Sequence, residues 1–238
     1  MKRILRFTLC FGLLLITAIV PAFAGEVIDG VVASVNRQPI LRSDWDEAVA
    51  FEAFMRQRPI TQMTEADRVL ALQRLIDRQL LKAQMGDASY MQPSDDKLQQ
   101  DIAKLRAQVP NGNDDAAWQR LLASYGLTED IVKQHLRTEV QVMNFVEVRL
   151  RPNVHIEADE VEAYYTKQLL PDLQSNGEKP IPLDEVGSKI RELLTEQHMD
   201  ELLDAWLHNL RQQANIRSSV SIPGINAPAE EGRAAGLN

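Results

Sequence analysis

The chain has 238 residues, a formal net charge of −8, 45% apolar and 5% aromatic side chains. That length holds one large or two small domains, and the normal, periodic apolar content excludes disorder throughout. A single charge-free apolar run excludes a polytopic membrane protein, and the lone cysteine, Cys10, excludes a disulfide scaffold.

Residues 1–24 read as a secretory signal peptide. Lys2, Arg3 and Arg6 precede an apolar stretch from Phe7 to Val20, and Ala22-Phe23-Ala24 forms an A-x-A cleavage signal before Gly25. The apolar stretch is short for a bilayer span, so an uncleaved anchor is the secondary reading. Cys10 sits in mid-stretch, away from the position a lipoprotein requires. Cleavage removes three positive charges and no acidic ones, leaving 214 residues at −11 without cysteine. A thiol-free exported chain suits an oxidising compartment. The acidic balance and the absence of a basic stripe exclude nucleic acid as partner, and no membrane insertion is expected after cleavage.

Val27 to Leu41 reads as a short hairpin. Val27, Val31, Val32 and Val35 are β-branched, Asn36 to Pro39 is the turn, and Ile40-Leu41 begins the return arm. From Ser43 to about Gln213 the chain reads as helix and connector. Ser43 caps a first helix carrying Trp45, Val49, Phe51, Phe54 and Met55, which ends before Pro59. Thr64 caps a second, with Val69, Leu72, Ile76, Leu80 and Ala83 at helical spacing and Gly86 as its stop. Leu70, Leu75 and Leu81 widen that apolar stripe beyond one face.

Ser94 caps a third helix that stops before Pro110. A short helix with Trp118, Leu121 and Leu122 ends at Gly126. Thr128 begins a long helix lined by Val132, Leu136, Val140, Met143 and Val146, which Pro152 breaks. Ala158 to Leu170 is a polar helix. Residues 171–182, with three prolines and a glycine, read as a linker without regular structure. Leu183 to Leu210 then carries the most regular apolar pattern, a helix of about 30 residues and roughly 45 Å, in which Gly187 costs about 1 kcal/mol. Asn215 to Val220 reads as a strand, and the tail from 221 to 238 as disordered.

The fold class is therefore mainly α: a multi-helix module with a short β-hairpin over 25–170, completed by a long C-terminal helix and a trailing strand over 183–220. An isolated amphipathic helix is marginal in water. The linker is expected to return this one to the earlier helices, where the strand pairs with the hairpin.

Little here suggests covalent chemistry. His135, His155, His198 and His208 show no metal-ligand spacing, and His198 and His208 lie roughly 15 Å apart on one helix. Surface or boundary roles account for them. No cysteine nucleophile, G-x-S-x-G, Walker loop or dinucleotide fingerprint is present. The carboxylates cluster in first helical turns, where the helix dipole accounts for them, and neither acidic loop has the EF-hand spacing. No catalytic residue, metal or cofactor is expected. The informative feature is an apolar surplus: Trp45, Phe51, Phe54, Met55, Met63, Met85, Tyr90 and Met91 lie in or beside the first two helices. A plain core is the bland explanation for each. Methionine adapts to varied partners, so part of the group is expected to line a peptide-binding groove. At roughly 25 cal/mol per Å² of buried apolar area, a few hundred Å² would hold unfolded segments with little sequence demand.

Residues 30–45, GVVASVNRQPILRSDW, resemble the opening of SurA-type periplasmic chaperones, where V-A-x-V-N-x-x-x-I-x-x-S-D precedes the first helix. Residues 75–81, LIDRQLL, are similar to that family's L-I-x-x-x-L-L. Tyr125 to Thr128 followed by LRTEV at 136–140, and the helix from Leu183 to Arg211, resemble its later segments. The likeness spans about 27–165 and 183–217. Family members usually carry parvulin-type prolyl isomerase domains between the Tyr-Tyr helix and the C-terminal helix. Here only seventeen residues separate Tyr165 from Leu183, and a domain of about a hundred residues does not fit there. The resemblance thus implies the chaperone module without the isomerase.

The resulting expectation is a periplasmic holdase-type chaperone, not an enzyme, that binds unfolded segments of exported and outer-membrane proteins in an apolar groove. The alternatives are a dedicated assembly partner for one envelope complex and, further away, an isomerase-related enzyme. A homodimer is compatible with an exposed groove, including exchange of the C-terminal helix across the linker.

Overall fold

The computed structural model describes residues 29–86 and 92–223. The expected signal peptide, Tyr90, Met91 and the tail beyond Pro223 lie outside the described residues.

Strands β1 (Val31–Val35) and β2 (Gln38–Leu41) form the hairpin, pairing Val35 with Gln38 and Val31 with Leu41. The turn is tighter than expected. Asn36 and Arg37 alone make it, with φ of 50° and 71°, the two-residue geometry whose twist matches that of the flanking strands. Gln38 and Pro39 already belong to β2. Pro39 is tolerated because β2 is an edge of the sheet, whose order is β2-β1-β3. Strand β3 (Ile216–Ser218) lies antiparallel on the other side of β1, pairing Val35 with Ile216 and Ala33 with Ser218. The C-terminal segment thus closes on the first described strand. Ile222, beyond the expected boundary at 220, is also buried.

The helices are α1 (Arg42–Met55), α2 (Glu65–Met85), α3 (Asp95–Ala107), α4 (Asp115–Ser124), α5 (Glu129–Leu150), α6 (Ala158–Tyr164), α7 (Leu170–Ser175) and α8 (Leu183–Gln213). Thr64, Ser94 and Thr128 cap α2, α3 and α5 as expected, each accepting a hydrogen bond from the backbone three residues on. Ser43 does not cap α1. The helix starts two residues earlier, with Leu41 in the cap position, and the Asp44 carboxylate accepts from the Leu41 N–H at 2.9 Å, while Ser43 is taken up by the Asp29 carboxylate. At the α3–α4 turn Gly112 is obligatory, because a Cβ there would lie 1.9 Å from the Arg106 carbonyl oxygen.

The segment expected to be a structureless linker is partly helical. The chain widens into a π-helical turn at Tyr165–Leu169 and continues into α7, with Pro171 in its first turn. Proline lacks the N–H and crowds the preceding turn of a regular helix, and π geometry opens that turn. The Tyr165 hydroxyl then donates to the Ile181 carbonyl at 2.8 Å, tying the two ends of the connection together.

Two apolar clusters share α1 as a common wall. The first joins the sheet to Trp45, Val49, the inner face of α2 and the end of α8, with Leu72 and Ile76 wholly buried. The second gathers Phe51 and Phe54 with α3, α4 and the start of α5 around Trp118 and Val132. Packing on both sides explains why α1 buries residues almost all round. The breadth of α2 has the same cause: it faces β1, α1, α5 and α8, leaving Leu70 exposed.

Candidate functional site

Trp45, Phe51 and Phe54 are interior residues, between 3% and 6% exposed. Trp45 belongs to the first cluster, where its Nε1–H donates to the Arg68 carbonyl at 2.7 Å and the Arg68 guanidinium lies 4.8 Å from its ring. Phe54 sits edge-on to Trp118 and Tyr125 in the second. These three side chains cement the helices together. Met55 is exposed at 42%, and Met63 and Met85 are half-buried. The six described residues of the group expected to act together are therefore divided between two cores and the surface.

Two clefts flank the N-terminal half of α1, with Glu47 lining both. One, of about 420 Å³, is bordered by Val49, Ala50 and Ile60 on its apolar side and by Tyr125 and Gly126 across from α1. The other, of about 200 Å³, lies between α2 and α5, with Ile40 and Leu75 as apolar walls and Arg78 and Lys82 as cations.

His135 is the ionisable centre of the second cleft. It comes from α5, where Leu136 faces the core, and its ring stacks on Phe51 with centroids 4.4 Å apart and planes 12° from parallel. Its Nε2 lies 2.8 Å from Glu47 Oε1. Burial pushes the imidazole below its ordinary pKa of 6.5, against the opposing pull of Glu47. Burial also lowers Arg78, and it lowers Lys82 together with the neighbouring Arg78 charge. The sequence offers only a surface or boundary role for His135, and Arg78 and Lys82 carry no motif in it. Only the approach of α5 to α2 brings His135 to these two cations.

Large apolar side chains outside both clusters are exposed on α5 and α8: Met143 at 63%, Val148 at 61%, Leu193 and Leu202. They follow the helical period of their segments but exceed the area that the neighbouring helices cover. Among the described residues no group of carboxylate, histidine or cysteine side chains could hold a metal, and no helix is long and apolar enough to cross a membrane.

Residues 1–146 match the family model of the SurA-like N-terminal domain. The chain belongs to that family. Among solved structures it is similar to one from Campylobacter jejuni, described with the virulence factor PEB4 and the periplasmic protein Cj1289 as two structurally related SurA-like chaperones. Identity is 12% and the TM-score 0.46, over 81% of this chain and 100% of that one. No curated protein matches. In this SurA-like chain the segment leading from the Tyr-Tyr helix to α8 is the π-turn, α7 and the Tyr165–Ile181 closure.

Proposed function

We propose that this protein is a periplasmic holdase: it binds non-native exported and outer-membrane chains and slows their aggregation, without turnover. Membership of the SurA-like family carries the reading. The apolar side chains left exposed on α5 and α8, together with Met55 and the half-buried Met63 and Met85, support it as contacts for unfolded chains, and Tyr90 and Met91 join them as contacts on sequence grounds alone. Each contributes modestly at roughly 25 cal/mol per Å², which suits a binder with little sequence demand. The signal-like residues 1–24 supply the route to the periplasm. The short connection before α8 supports a chaperone module without isomerase activity.

The test is light scattering of a chemically unfolded outer-membrane β-barrel protein diluted into buffer with the mature chain. Near-stoichiometric suppression of aggregation is expected, with measurable binding of aromatic-rich peptides and no acceleration of proline isomerisation. Absence of both suppression and peptide binding refutes the proposal. A single tight complex in place of many weak clients would instead identify a dedicated assembly partner.

A further inference from the structure

Two cations of the α2–α5 cleft stand without a close ion-pair partner among the described residues. Arg78 and Lys82 are one helical turn apart on α2, and neither has an ion pair within 4 Å among the described residues. Three of the carboxylates nearby are bonded to other groups. Asp44 accepts from the α1 N-terminus, Glu47 is bonded to His135, and Glu52 is held by Arg56 and Arg74. Glu139 acts on Arg78 at longer range only. Gln79, Gln134 and Thr138 complete the polar lining of the cleft. Arg78, half-buried, and Lys82 repel each other, and an anion that joins them offsets that repulsion. A carboxylate suits this arrangement, because a guanidinium and an ammonium together offer it charge-assisted hydrogen bonds, while Ile40 and Leu75 provide an apolar wall for the carbon that bears it.

We propose that Arg78 and Lys82 form a carboxylate-binding site in the α2–α5 cleft, filled by an acidic side chain or the free end of a bound polypeptide. The polypeptide source rests on the holdase reading; the anion site does not. Lys82 is exposed and meets the ligand at the rim, and Arg78, half-buried, holds it deeper.

Nitrogen-15 NMR of the mature chain, titrated with sodium acetate against sodium chloride at matched ionic strength, tests the site. Saturable shifts at the Arg78 Nε–H and the Gln134 amide are expected, and their loss in R78Q and in K82Q. Lys82 is at the surface, so K82Q remains informative if R78Q fails to fold. No saturable shift, shifts that persist in both variants, or saturation by inorganic phosphate but not acetate overturns the proposal. A second arm uses one apolar peptide sequence in three forms: amidated, with a free C-terminus, and amidated with one added glutamate. Either charged form should bind the wild-type chain about three- to tenfold tighter than the neutral one, with the gain lost in K82Q. Equal binding of all three overturns the polypeptide source. Intact acetate shifts without any peptide binding uphold the anion site and refute the holdase reading.

Discussion

Arg211, in the last turn of α8, donates two parallel hydrogen bonds to Asp77 in the middle of α2, from Nε to Oδ1 at 2.7 Å and from Nη2 to Oδ2 at 2.6 Å. The pair is 134 residues apart in sequence and mostly shielded from water. It locks the C-terminal helix onto the N-terminal module in one rotation. Arg211→Ala is expected to destabilise the protein by about 1–3 kcal/mol, because bidentate charged pairs are among the stronger hydrogen bonds and partial exposure trims their worth. Urea denaturation of R211A, D77N and the double variant checks this. Coupling near zero in the cycle would show that the pair does not act as a unit.

Asn36 and Asn215 make a second clasp. The Asn36 N–H donates to the Asn215 carbonyl and the Asn215 N–H to Asn36 Oδ1, both at 2.9 Å. Asn36 also holds a left-handed φ of 50°. Asn36→Gly loses the side-chain bond and keeps the conformation, whereas Asn36→Ala loses the bond and adds about 1–2 kcal/mol of backbone strain. Thermal unfolding should therefore rank the wild type above N36G and N36G above N36A. The reverse order of the two variants would contradict this account of the turn.

Stability should fall as the medium is acidified through the range below pH 6.5, in part through His135. Its folded-state pKa lies below 6.5, mainly through burial. Between the two pKa values the unfolded chain binds a proton that the folded chain refuses, so unfolding becomes easier as pH drops. Above pH 6.5 this contribution is fully present. Denaturant midpoints for wild type and His135→Gln across pH 7.5 to 5 should converge at the acid end if the wild type starts higher. Parallel curves would rule out His135 as a source. Glu47→Gln removes the charge that favours the imidazolium and should lower the His135 pKa further by NMR titration.

Gly187 lies inside α8, and a Cβ there would meet only Leu183 Cδ1 at 3.8 Å and Val161 Cγ1 at 3.9 Å, ordinary contacts. Gly187→Ala should thus stabilise the protein by about 0.5–1 kcal/mol, raising Tm by about 1–4 °C. A lower Tm in calorimetry would mean that α6 needs the closer approach.

The division between core and surface gives a paired test. Trp45→Ala and Phe54→Ala should each cost about 3–5 kcal/mol, as truncations of buried aromatic side chains do. Met143→Ser and Val148→Ser should change stability by less than about 0.5 kcal/mol and weaken suppression of client aggregation. If folded Met143 and Val148 variants suppress aggregation as well as the wild type, those side chains are not client contacts.

Much of the fold was legible because the signals were local. Thr64, Ser94 and Thr128 cap through side chains three residues from their partners, Gly86 ends α2 with a positive φ, and the spacing from Leu183 to Leu210 specifies one long helix. The trailing strand and its pairing with the hairpin were also legible, since β-branched segments without a partner need one. The start of α1 was not, because Asp44 and Asp29 compete for groups that Ser43 alone was expected to satisfy. The helical start of residues 171–182 escaped for a similar reason, as π geometry lets Pro171 into a helix.

Periodicity and end signals determined which segments are helical, for these depend on residues within a turn or two of each other. Whether an aromatic side chain became wall or surface was decided by tertiary packing. Trp45 and Met55 lie on the same helix, yet one meets α2 and the sheet while the other meets water. That difference depends on where distant helices dock, as does the meeting of Arg78 with His135. No pattern within a single segment encodes it, because burial is a property of the area that neighbours remove from solvent.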